Sequence, residues 1–134
     1  LEREKIQPNI KYLGYLTREE IRKCQDECDF LINPRRPSGT YTMYSFPSKT
    51  AEYMMTGKPV IMYKLEGIPD EYDEYLNYLY EKQPFGIAHE LEYFFNDLNY
   101  DELVRKAWKG RTFMQNSKSC NEQAEKIIEL LKNA

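Results

Sequence analysis

The sequence predicts an α/β domain on a parallel, doubly wound sheet with flanking helices, and three observations carry that reading. Short apolar or β-rich runs alternate with stretches of helical period. The stretches between runs are long enough for the helical, right-handed crossovers that consecutive parallel strands require. The length, 134 residues with 41% hydrophobic side chains, suits one domain with a modest core and is too short for two.

Residues 1–8 read as a charged lead-in, and Asn9-Ile-Lys-Tyr-Leu-Gly14 as a first β-rich run. Thr17-Arg-Glu-Glu20 has the capping-box pattern, so a helix starts there, with Ile21, Cys24 and Cys28 recurring at helical spacing. Phe30-Leu-Ile32 is a continuous apolar run of the kind that becomes a buried strand. A long polar stretch from Asn33 to Phe46 follows, until Pro47 opens a second helix at the first helical position, where proline is tolerated, and Gly57 closes it. Pro59-Val-Ile-Met-Tyr63 is the next strand, Gly67-Ile-Pro69 a turn, Asp70 to Tyr75 a short acidic helix, and Tyr78-Leu-Tyr80 a short strand. Three helices end the chain, marked by Ile87, Leu91, Phe94, Phe95 and Leu98, by Leu103, Ala107 and Met114, and by Ala124, Ile127, Ile128 and Leu131. Asn99 with Glu102 and Ser119 with Glu122 have the spacing that signals the starts of the second and third.

About four strands are few for a doubly wound sheet, and the chain opens on Leu1 rather than methionine. Both lead to the expectation that residues 1–134 are one domain of a longer protein, with the first strand or strands of the sheet lying before Leu1. Low-complexity tracts, internal repeats and Gly/Ser linkers are absent from the sequence.

Composition narrows the function. With 19 Lys and Arg against 22 Asp and Glu, a formal charge of −3 and a pI near 5.3 disfavour nucleic acid as a partner, since binding a phosphate backbone depends on clustered cations. The sequence has no apolar run long enough for a transmembrane segment and no signal-peptide core, and its three cysteines do not make a disulfide framework. An intracellular, reducing setting is therefore expected. Cys24 and Cys28 read as small buried residues, His89 as structural, and the carboxylates between Glu66 and Glu81 as a solvated face. No glycine-rich dinucleotide fingerprint and no P-loop is present.

In open α/β sheets, ligands bind beyond the carboxyl ends of the strands. The loop after Ile32 is about twice the usual two to six residues of a strand-to-helix connection, a length commonly tied to function. It carries Arg35 and Arg36 and leads to a helix start with Ser48 and Lys49, where unpaired amides and the helix dipole favour an anion such as a phosphate or diphosphate. Glu52, about one turn further, could accept hydrogen bonds from ribose hydroxyls. Each residue also has an ordinary reading: solvated arginines, a capping serine, an exposed helix glutamate. Of the twelve tyrosines, Tyr15, Tyr41 and Tyr44 are placed to stack on a base or sugar ring.

The run Tyr44-Ser-Phe-Pro-Ser-Lys-Thr-Ala-Glu-Tyr-Met-Met-Thr-Gly-Lys-Pro-Val-Ile61 resembles the donor-site helix and following strand of family 4 (group 1) glycosyltransferases, in their bacterial polysaccharide branch. Asp29-Phe-Leu-Ile-Asn-Pro34 is similar to the preceding strand, Tyr12-Leu-Gly14 to the strand before the nucleotide-base loop, and Gly67-Ile-Pro69 to the turn after the donor strand. The resemblance runs from about Asn9 to Tyr75. It implies the two-domain GT-B architecture, with this chain as the C-terminal, Rossmann-like, nucleotide-sugar-binding domain. It also implies that Glu52 corresponds to the second glutamate of the family's two-glutamate motif, which holds the donor ribose, and it brings Tyr44, Ser45 and Phe46 into the donor site. The first glutamate would fall at Tyr44, a departure near the donor sugar. The family's basic pair for the diphosphate would lie before Leu1, as would the acceptor-binding domain.

Together these readings predict the donor domain of a glycosyltransferase that passes a sugar from a nucleoside-diphosphate sugar to a saccharide or lipid-linked acceptor. The resemblance implies retention of anomeric configuration and no metal; no cofactor besides the substrate is expected, and the expected location is cytoplasmic, with room for a peripheral membrane association of the full-length enzyme through its other domain. The expected nucleotide-sugar-binding set is Glu52, Ser48, Lys49, Tyr44, Ser45, Phe46, Arg35 and Tyr15; catalytic residues are not assigned. This chain alone is expected to show little or no transfer, because both domains must close on the reactants. The alternative is a non-catalytic α/β module binding a ligand or protein; its phospho-acceptor version wants an aspartate at a strand end, where this sequence has Asn33-Pro34 and Tyr63-Lys64.

Overall fold

The computed structural model of the chain describes residue 7 and residues 9–133, with the side chains of Tyr41, Asp97 and Leu98 outside that description. Among the described residues it is an α/β structure with a three-stranded parallel sheet and five α-helices. In chain order these are α1 (Arg18–Glu27), β1 (Leu31–Asn33), α2 (Ser48–Thr56), β2 (Val60–Tyr63), β3 (Asn77–Leu79), α3 (Pro84–Phe94), α4 (Asp97–Ser117) and α5 (Cys120–Lys132). The sheet order is β1-β2-β3, with Ile61 opposite Ile32 on one side and Asn77 on the other.

The central strand organises the core. Every residue of β2 is buried, as expected for a parallel strand covered on both faces. Because side chains alternate along a strand, Val60 and Met62 enter one apolar cluster and Ile61 and Tyr63 the other. The first cluster is closed by Met54 of α2 and Met114 of α4, the second by Ile87, Leu91 and Phe94 of α3. The buried Asn77 amide donates to the Val60 carbonyl at 3.0 Å, clamping β3 to β2.

Local signals set several boundaries as expected. Thr17 and Glu20 form the full capping box at α1. Gly57 ends α2 in the left-handed conformation, φ +76°, which favours glycine. Ser119 caps α5 by accepting from the Glu122 amide.

Other expectations are corrected. The run from Ile10 to Gly14 is not a strand: Ile10, Tyr12 and Leu13 are 48%, 60% and 46% exposed. Its alternation marks β-prone residues, but a strand also needs a neighbouring backbone to pair with. Pro47 is the N-cap of α2 rather than its first helical residue. Residues 70–75 give a 3₁₀ turn, Asp70–Tyr72, followed by turns rather than a helix. Asn99 lies inside α4, where its amide donates to the Tyr93 carbonyl at 3.1 Å and ties α4 to the end of α3. Leu98, expected on the first of the last three helices, belongs to α4, and its side chain is outside the described residues. Cys28 is exposed and Cys24 half-buried, whereas the residue that α1 buries is Gln25. The apolar stripe of α5 buries nothing, with Ile127, Ile128 and Leu131 at 58%, 50% and 73% exposure.

Candidate functional site

The carboxyl end of the sheet is where β1 and β2 release the chain into loops, and those loops are held together. The Gly67 amide donates to the Thr42 carbonyl at 2.9 Å, joining the turn after β2 to the loop that leads into α2. A Cβ at Gly67 would meet the Ser45 and Thr42 carbonyl oxygens at 2.7 and 2.9 Å, so this approach requires glycine. From below, the fully buried Thr50 of α2 reaches the Met62 sulfur and receives the Asn33 amide at 3.4 Å. The start of α2 is thereby fixed against the ends of both strands.

That helix start is chemically open. Pro47 has no side chain that can accept from the first amides, and no side-chain cap is made. The ordinary alternative for Ser48, a capping serine, does not hold: Ser48 is the first helical residue and Lys49 the second, both exposed. Unpaired amides, a helix dipole and a lysine at the same end suit an anion. Thr42 is buried, and Phe46 packs its ring on Tyr72 with centroids 4.8 Å apart, so it serves to place the turn into α2.

Glu52 sits one turn into α2 on the exposed face. Its Oε1 accepts from the Gln25 amide at 3.1 Å, across the junction of α1 and α2. No partner is recorded for Oε2 among the described residues. Glu52 and Lys49 line one groove of about 840 Å³ between α1, α2 and α4. Gln25 was invisible to sequence reasoning, since a polar residue on an amphipathic helix reads as solvent-facing; a buried amide holding a carboxylate needs both helices in place.

The remaining expected residues are spread around this centre. Tyr44 is 85% exposed at the end of the 3₁₀ turn Thr40–Met43, and Ser45 is half-buried beside Gly67. Tyr15 is fully exposed after Gly14, whose φ is +71°. The Tyr41 side chain lies outside the described residues. Arg35 is half-buried and its amide donates to Asn33 Oδ1, whereas the Arg36 guanidinium donates to the Lys82 carbonyl at 2.9 Å. The adjacent arginines therefore part: Arg36 latches the β1 loop to the loop after β3.

The carboxylates of the acidic stretch are exposed except for the half-buried Asp73, as on a solvated face, and two of them tie the loop after β2 together. Asp73 accepts from Lys64 and, at 2.6 Å, from the Tyr78 hydroxyl; Asp70 accepts from the same lysine at 3.1 Å. Burial alone would raise the Asp73 pKa, but the hydrogen bonds from Lys64 and Tyr78 outweigh it and hold the carboxyl below its usual value. Burial likewise pushes the Tyr78 hydroxyl up, reinforced by Asp73. Lys106 donates to the Leu76 carbonyl at 2.8 Å, and desolvation lowers its pKa. His89 is exposed, and among the described residues no three His, Cys, Asp or Glu side chains gather as metal ligands. No helix among them is long and apolar enough to cross a membrane.

No curated protein and no solved structure matches the chain. A family model does, the one described as "Glycosyl transferases group 1", over residues 1–97, which takes in α1, α2, the whole sheet and the open helix start. The chain belongs to the group 1 glycosyltransferases, and its function lies in glycosyl transfer.

Proposed function

We propose that this chain is the donor-binding domain of a two-domain, GT-B glycosyltransferase of family 4, of the bacterial polysaccharide type, which takes its sugar from a nucleoside-diphosphate sugar. The observation that carries the reading is Glu52: a carboxylate oriented by Gln25 one turn from an uncapped helix start, with Lys49 in the same groove. In this arrangement the amides of Ser48 and Lys49 and the Lys49 ammonium receive the diphosphate, and Glu52 accepts from the ribose diol. Arg35 adds positive charge at the strand exit, while Tyr15 and Tyr44 offer exposed rings for the base and the sugar. Catalysis would then be electrostatic: donors fixed in advance stabilise the departing diphosphate, and no base is required of this domain. The acceptor, a saccharide or lipid-linked sugar, is held by the other domain; transfer retains configuration, uses no metal, and takes place in the cytoplasm.

The test is calorimetric titration of the chain with UDP, GDP and ADP and their sugar conjugates. The expected result is saturable binding of one nucleotide, weakened about tenfold or more by Glu52→Ala, the scale of a lost charge-assisted hydrogen bond. The Ser48→Ala/Lys49→Ala double variant should weaken diphosphates more than nucleosides. If neither this chain nor a version extended at its N-terminus binds any of them at millimolar concentration, the reading fails.

A further inference from the structure

The groove that holds Glu52 continues beyond it, and its walls carry more charge than a ribose requires. Arg18 and Arg22 line it from α1, Lys49 from α2 and Arg111 from α4, facing two carboxylates, Asp26 and Glu52. None of the four cations forms an ion pair among the described residues, although Asp26 lies in the same groove. Glu52 is engaged by Gln25, and Arg111 lies over the Trp108 ring, 5.0 Å from its centroid. In a chain of net charge −3, four cations from three separate elements left unpaired around one concavity are not an even scatter of surface charge.

From this we infer that the α1–α2–α4 groove binds a phosphate-bearing group at a position distinct from the start of α2, with Arg22 and Arg111 as its principal contacts. Guanidinium groups suit phosphate oxygens because their planar fork donates two parallel hydrogen bonds, and they stay charged at any physiological pH. Both arginines lie on helices packed against α2, so the groove's width is set by the core rather than by a loop. The same chemistry is offered by a soluble phosphorylated molecule and by an anionic lipid headgroup. The groove shares Lys49 and Glu52 with the nucleotide-sugar reading, but Arg22 and Arg111, its principal contacts, have no role in that reading, so the two can fail separately.

The experiment uses inorganic pyrophosphate as the soluble probe and phosphatidylglycerol vesicles, against phosphatidylcholine, as the lipid probe. Calorimetry and vesicle co-sedimentation are read for the wild-type chain and three double variants, with circular dichroism to confirm that each folds. In the wild type, Trp108 emission gives a second readout, being the chain's single tryptophan and lying beneath Arg111. Arg22→Gln/Arg111→Gln should weaken binding about tenfold or more, while Arg105→Gln/Lys109→Gln, which removes the same charge elsewhere on α4, should leave it unchanged. A response to pyrophosphate identifies a soluble ligand class; a response to phosphatidylglycerol alone identifies a lipid headgroup. Equal losses in those two variants mean bulk charge attraction and overturn the site, as does saturation by neither probe. Pyrophosphate binding lost in Ser48→Ala/Lys49→Ala but kept in Arg22→Gln/Arg111→Gln overturns the groove site and leaves the donor-site proposal standing.

Discussion

Helices α4 and α5 are neighbours in sequence, both carry apolar residues at helical spacing, and they are treated very differently by the fold. α4 buries Leu103, Ala107 and Met114 and packs along α2, with Gly110 letting the Tyr75 side chain come close. α5 has the better local credentials, a serine cap at its start and Lys132 in its last turn, yet none of its residues is buried. A fully buried apolar side chain stabilises by about 1.5–3 kcal/mol, whereas a cap contributes about 1. The contrast separates two sources of helix stability: α4 is held by the core, α5 by its own termini.

Breaking that contrast starts in the core. Met114→Ala is expected to cost about 2–5 kcal/mol in urea unfolding, as for other core methionines cut to alanine. Leu131→Ala on α5 should change global stability by no more than about 0.5 kcal/mol. Comparable losses in the two variants would show that the α5 stripe is covered in solution.

Gly67→Ala comes next, at about 1–3 kcal/mol, because the new methyl group meets two carbonyl oxygens that cannot both move without parting the loops. It should also weaken nucleotide binding more than Met114→Ala does at matched stability, since it displaces Ser45 at the entry to α2. Equal effects on binding would detach Gly67 from the site.

Ser119→Ala sharpens the comparison from the other side. It should cost α5 about 1 kcal/mol of helix stability, read as earlier amide exchange within α5, while α4 keeps its protection. Parallel loss of protection in both helices would mean that α5 is tertiary after all.

The smallest expected effect is electrostatic. Asp73 has a folded-state pKa below its ordinary value of 3.8, so its contribution is present above that value and is lost as the pH falls through the folded pKa. Asp73→Asn should therefore lose that contribution in the neutral range and flatten the acid limb of stability against pH, the two proteins converging at low pH. An unaltered acid limb would show that the Lys64–Asp73–Tyr78 contacts do not persist in solution.

Most of the elements were legible in the sequence because their signals are local. The Thr17–Glu20 box, Gly57 at the end of α2 and the continuous apolar run of β2 each follow from a few neighbouring residues. What misled was local signal taken for tertiary fact: Ile10 to Gly14 has the alternation of a strand without a paired neighbour, and Asn99 has a cap's spacing inside a helix. The site was half legible. Its helix start and Glu52 stand in one continuous segment, whereas Gln25 comes to it from α1, and Arg22 and Arg111 come to the adjoining groove from α1 and α4, across distances that sequence spacing does not measure.

The sequence by itself determined the class of fold, the order of its elements, the position of the long loop and the family to which the chain belongs, because these depend on periodicity, caps and contiguous motifs. Only the tertiary structure decided which apolar faces are covered, which carboxylates engage Lys64, and that Gln25 meets one oxygen of Glu52. Those outcomes depend on packing between elements far apart in the chain, and burial, pairing and groove shape exist only once the elements meet.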